Sequence, residues 1–157
     1  METLLEIERI RQLKYRYFRA IDRHDWALLE SCLAEDCRTA LDSGKYSFDG
    51  RAEFVGALKG LLDRPTIVTM HQGHHPEIEL VAADRAKGVW YLEDWVIDLA
   101  QNWVLHGTAY YQDDYVKRDG EWRIAFTGYE RVFETVTAPI PEHLRVTANM
   151  FDRSRSA

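Results

Sequence analysis

Asp94 stands in the run GVWYLEDWVI, with aromatic and aliphatic residues on both sides. Alternate residues of a strand share a face, so Asp94 is expected beside Trp90, Leu92 and Val96. A lone carboxylate among apolar side chains is costly. It needs a cationic or hydrogen-bonding partner, or it is driven neutral. Three candidate partners precede it in MHQGHHPE: His71, His74 and His75. Period-two alternation puts His71 and His75 on one face and His74 on the other. A carboxylate orients an imidazole, fixes its tautomer and makes it more basic, as a general base near neutral pH requires. The expected pair is therefore His71 with Asp94. The same two residues could equally form a structural hydrogen-bonded pair. His74 and His75, beside Pro76, read as structural or solvent-facing.

Two of these histidines with Glu77, Glu79 or Asp94 could in principle hold a metal. No fixed ligand motif such as H-E-x-x-H is present, and catalytic zinc needs three convergent ligands. The expectation is no metal and no cofactor. Tyr17 and Asp22 add a phenol and a carboxylate five residues apart near the N-terminus. A buried phenol is ordinarily core filling, yet in a pocket it can donate to a substrate oxygen. Asp22 reads as a solvated helix end or as a supporting acid. In TGYERVFE, Arg131 shares a strand face with Thr127, Tyr129 and Phe133. Its guanidinium could pair with Asp22, Asp94 or a substrate anion.

The elements that must position these groups follow from periodicity. Residues 3–22 place Leu4, Ile7, Ile10, Leu13, Tyr17 and Ile21 at helical spacing, which turns Tyr17 inward. Asp25 can cap a short helix, DWALLESCL, packing Trp26, Leu29 and Leu33 on the first. CRTALDSGKYSFDG reads as two short strands about Asp42, Ser43 and Gly44. A third helix is expected from Arg51 to Leu62 with Phe54, Leu58, Leu61 and Leu62 inward, closed off by Pro65. From Thr66 the period is two: IVTMHQGH, EIELVA, RAKGVWYLEDWVIDL, WVLHGTAYYQDDYVKR and EWRIAFTGYERVFETV. Ala83-Asp84 suggests a turn, and Asp119-Gly120 is a strong hairpin signal. Helices first and an antiparallel sheet after is the α+β order, as a single domain over 1–157. Val89, Tyr91, Trp95 and Ile97 make the second face of their strand bulky too. Covering that face calls for a partner, hence a homodimer or homotrimer, or for the C-terminal tail.

The chain's 157 residues include 26 acidic against 20 basic ones, a net charge of -6, which disfavours nucleic acid as a partner. Arg153 and Arg155 read as a frayed end. Cys32 and Cys37 suggest neither a disulfide framework nor a zinc knuckle. No signal-peptide core and no run of about 18 apolar residues occurs, so a cytoplasmic protein away from membranes is expected. Nucleophile elbows, P-loops and dinucleotide fingerprints are missing as well.

At YFRAID, MHQGHHPEI, GVWYLED and TGYERVFE the chain resembles the SnoaL-like branch of the nuclear transport factor two-like superfamily. Within it the likeness is to the bile-acid seven-alpha dehydratases and, more distantly, the scytalone dehydratases, over about residues 6–135. The resemblance implies a cone: helices packed in the concave face of a curved sheet. It also implies a site of Tyr17, His71 and Asp94 supported by Asp22 and Arg131. The implied reaction is a cofactor-free syn elimination of water from a hydrophobic small molecule, with His71 as base, Asp94 as its orienter and Tyr17 on an oxygen. The same groups could run an isomerisation or a cyclisation, and a cone that only binds small molecules is the non-catalytic rival.

Overall fold

A computed structural model of the chain describes residues 2–152, so Arg153 and Arg155 lie outside the described residues. Helix α1 spans Glu2–Asp22 and buries Ile10, Leu13, Lys14, Tyr17, Phe18 and Ile21, which recur at three- and four-residue steps. Leu4, expected on that stripe, is 70% exposed at the helix's free first turn. Helix α2, Trp26–Cys32, begins where Asp25 accepts a hydrogen bond from the Leu28 amide (3.0 Å). Its expected last residue, Leu33, instead starts strand β1, Leu33–Leu41, which turns through Asp42 and Ser43 at positive φ into β2, Tyr46–Asp49. Helix α3, Arg51–Leu62, has the expected bounds and buries Phe54 and Val55, while Leu61 faces water.

Four long strands follow: β3, Ile67–Ala82; β4, Arg85–Asp98; β5, Trp103–Arg118; and β6, Glu121–Thr137. The two expected short strands before Ala83 are thus one. The sheet order is β2-β1-β6-β5-β4-β3, antiparallel except where β1 runs parallel to β6. The sheet is curved and unclosed, with three helices, an α+β cone.

Helix α1 packs against β3, the long edge strand opposite β2 in the order. Gly73 permits this approach. A Cβ at that position would lie 2.4 Å from the Phe18 ring, closer than any side chain tolerates. Two irregularities overturn expectations drawn from strict alternation. His75 takes a positive φ of 49° inside a register shift between His74 and Glu77, so it does not share His71's face as period two requires. A second shift sets Arg131 opposite Ala109 but Phe133 opposite Thr108. Phe133 therefore leaves Arg131's face and meets His106 edge-on.

Candidate active site

Asp22 and His71 come together where the last residue of α1 meets the edge strand. Asp22 accepts three hydrogen bonds. These come from the His71 ring at Nδ1 (2.7 Å), the His71 backbone amide (2.9 Å) and the Thr69 hydroxyl (2.8 Å). Burial pushes the Asp22 carboxyl up, but the bonds from His71 and Thr69 outweigh it and leave its pKa below the ordinary carboxylate value. An ionised Asp22 holds the proton of the neutral ring on Nδ1 and leaves the lone pair on Nε2. The ring lies nearly parallel to that of Phe18 (9° between planes, centroids 6.4 Å apart), which fixes its plane.

Asp94 is not the partner of His71. The two are register neighbours on β3 and β4, but Asp94 turns to Arg131, which binds it through both Nη atoms at 2.5 and 2.9 Å. A guanidinium offers two parallel charged donors to one carboxylate, and an imidazole offers one. Gly107 makes the reach possible. It lies opposite Asp94 on β5, and a Cβ there would come within 2.8 Å of Arg131 Nη1. Burial disfavours the Arg131 charge, but Asp94 more than restores it and holds the guanidinium's pKa above its ordinary value. Asp94 is thus buried as expected, with a different partner.

Tyr17 points inward, as expected, and is buried. Its ring meets Phe18 and Tyr111 edge-on. Burial drives its pKa well above that of a free phenol. The structure therefore places Tyr17 in the core, with Phe18 as the aromatic residue facing the imidazole. The five candidates fall into three groups: His71 with Asp22, Asp94 with Arg131, and Tyr17 with Tyr111.

A buried charge pair unforeseen in the sequence lies beneath Tyr17. Lys14 Nζ, fully buried, sits 2.8 Å from Asp113 and 3.7 Å above the Tyr111 ring centre. Asp113 also accepts hydrogen bonds from Tyr115 and Thr127, both 2.7 Å, and Tyr115 accepts one from Trp90 (2.9 Å). Burial pulls the Lys14 pKa down against the opposing pull of Asp113. The signals were present. Lys14 falls between Ile10 and Tyr17 on the apolar stripe of α1, and Asp113 alternates with Tyr111 and Tyr115.

The dyad opens onto a hollow of about 440 Å³ whose walls include Tyr15, Phe18 and Arg19 of α1 and Gly73 and His74 of β3. A larger hollow, about 890 Å³, lies between the turn after α1, the α3–β3 connection and the tail segment Val146–Asp152. It lacks both members of the dyad, so its size does not make it the site of chemistry. The tail crosses this end of the fold. Asn149 donates to the Pro65 carbonyl, and the Phe151 ring stacks on His24 at 4.1 Å. Among the described residues no cluster of metal-ligating side chains forms, and no helix is long and apolar enough to cross a membrane.

A family model described as SnoaL-like domain matches residues 2–127. Among solved structures, the hexachlorocyclohexane dehydrochlorinase LinA-type3 of Novosphingobium barchaimii has a TM-score of 0.77 at 20% identity, over 88% of this chain and 94% of that one. A putative scytalone dehydratase from Novosphingobium aromaticivorans has the same TM-score at 20% identity, over 92% and 97%.

Proposed function

Since the chain belongs to the SnoaL-like domain family, we propose that it is a cofactor-independent lyase of the dehydratase type, acting on a hydrophobic small molecule. One observation carries this reading: an oriented imidazole, His71, whose Nε2 makes no hydrogen bond among the described residues, beside an ionised Asp22 in a partly apolar hollow. The dehydrochlorinase and dehydratase among the similar structures are both named for eliminations.

In the proposed reaction His71 Nε2 removes a proton from a carbon next to a carbonyl. That C–H electron pair forms an enolate with its charge on the carbonyl oxygen; as the enolate collapses, the pair becomes the new double bond and the C–O bond of the next carbon breaks. The departing hydroxyl takes the proton back from Nε2, releasing water and restoring the base. One imidazole serves both steps, so proton and hydroxyl leave from the same side. Asp22 holds the tautomer and stabilises the imidazolium, the part first given to Asp94. Tyr17, buried edge-on to Tyr111 and Phe18, acts here by setting Phe18 against the imidazole. An isomerase would use the same base and return the proton to another carbon.

The test is turnover of a panel of apolar β-hydroxy ketones, followed by mass spectrometry for loss of water. Wild type should dehydrate at least one member, and His71→Gln and Asp22→Asn should each lose that activity while staying folded. Undiminished turnover in both variants sinks the proposed base, and a product of unchanged mass replaces the lyase with the isomerase.

A further inference from the structure

Removing a proton next to a carbonyl moves negative charge onto the carbonyl oxygen, and some group must receive it. Lys14 and Arg131 are spent: Lys14 is buried against Asp113, and both Nη atoms of Arg131 are taken by Asp94. Arg19 lines the hollow of the dyad itself. Tyr15, Phe18, Arg19 and Asp22 follow one another at steps of three, one and three, which aligns them along one side of α1. All four line the hollow that holds His71. Arg19 lies one turn before Asp22, where an acidic residue would ordinarily pair with it on the helix surface. Asp22 turns instead to His71 and Thr69, and Arg19 makes no ion pair among the described residues. The hollow thus has Arg19, exposed and without an ion pair among the described residues, in the same wall as the oriented base and the Tyr15 and Phe18 rings.

We propose that Arg19 is a further catalytic residue, the group that holds the substrate's carbonyl oxygen as it becomes an oxyanion in the hollow of the dyad. The assignment rests on the elimination reading for its chemistry, and it names the substrate class: a flat apolar ketone whose oxygen meets Arg19 while its acidic carbon meets His71 Nε2. The guanidinium donates N–H groups in a planar fork, suited to an oxygen carrying partial negative charge. His74 and Gln72 are the other polar side chains on the rim.

A stable oxyanion tests this without turnover. The probe is 4-nitrophenolate, a flat aromatic oxyanion followed by its visible absorbance, with neutral 4-nitroanisole as the uncharged control. Wild type should bind the phenolate. Arg19→Gln should weaken that binding about tenfold, equivalent to about 1.4 kcal/mol, and leave 4-nitroanisole unchanged. Arg19→Lys should recover part of it, and His71→Gln and His74→Gln should retain it. No binding to wild type, equal binding by Arg19→Gln, equal loss of both probes, or loss in His71→Gln overturns the assignment; the last would name an imidazolium as the anion's partner. Arg19 failing here while Asp22→Asn still loses turnover removes the oxyanion group alone. Arg19 holding the probe while the dyad variants turn over normally removes the lyase and leaves the anion site.

Discussion

Two carboxylates serve this cone in opposite ways. Asp94 lies deep on β4 with both oxygens on a guanidinium that stays charged throughout the accessible pH range, so the pair is a permanent fixture. Asp22, at the rim, spends its oxygens on an imidazole, a backbone amide and a hydroxyl. Imidazole is the side chain whose ordinary titration spans neutral pH, so only the second arrangement can pass protons. On the proposed roles the partner, more than the burial of the acid, decides which carboxylate is scaffold and which is machinery.

The sharpest way to break this contrast is Asp22→Asn. On the proposed roles it should lower kcat by about 10²–10⁴-fold, the usual span for a positioned acid-base group, with a smaller loss of unfolding stability than Asp94→Asn causes. Asp94→Asn should do the reverse. It leaves a mostly buried Arg131 with only the partly exposed Glu134 (3.1 Å) as counter-charge and should cost about 3 kcal/mol in urea unfolding, the low end for a broken buried pair, while the folded remainder keeps most of its turnover. A second change, Arg131→Met, should recover part of that stability. Equal loss of kcat in Asp22→Asn and Asp94→Asn would erase the distinction.

Acid titration sharpens it further. The Asp22 pKa is depressed in the folded chain, so its stabilising contribution is present above the ordinary carboxylate value, about 4. It is lost as pH falls through the lower folded-state value. In His71→Gln the side-chain bond and charge that oppose burial are gone, and the Asp22 carboxyl-carbon resonance should titrate at higher pH than in wild type. The smallest effect is expected on the outer face, where Trp95 stacks on His106 (4.2 Å), Tyr91 on Tyr110 (4.9 Å), and Phe133 is half exposed. Phe133→Arg should change stability by no more than about 0.5 kcal/mol. In sedimentation it should lower the mass of any oligomer formed through this face; an unchanged mass removes the face as the interface.

Much of the fold was legible because its signals are local: the bounds of α3, the Asp25 cap, and the Asp119-Gly120 turn, where both residues take positive φ. The candidate residues were legible in the sequence, and their pairings were not. His71 and Asp94 do face each other across β3 and β4, as alternation suggested. What alternation cannot express is that Arg131, on another strand, reaches Asp94 past a glycine, or that a helix end delivers Asp22 to His71. Both pairings link groups far apart in the chain, and each depends on an absent side chain, at Gly107 or at Gly73. Gly107 inside a strand was the visible hint of a close approach.

Asp22 and His71 join α1 to the one long strand that has a neighbour on only one side. The hydrogen bond proposed to serve catalysis is also the clasp that holds the sheet's free margin to its first helix. On that proposal, turnover reports on the order of that seam. On gentle denaturation, activity should fade, and the amides of β3 should exchange with solvent, before the interior of β5 and β6 gives way.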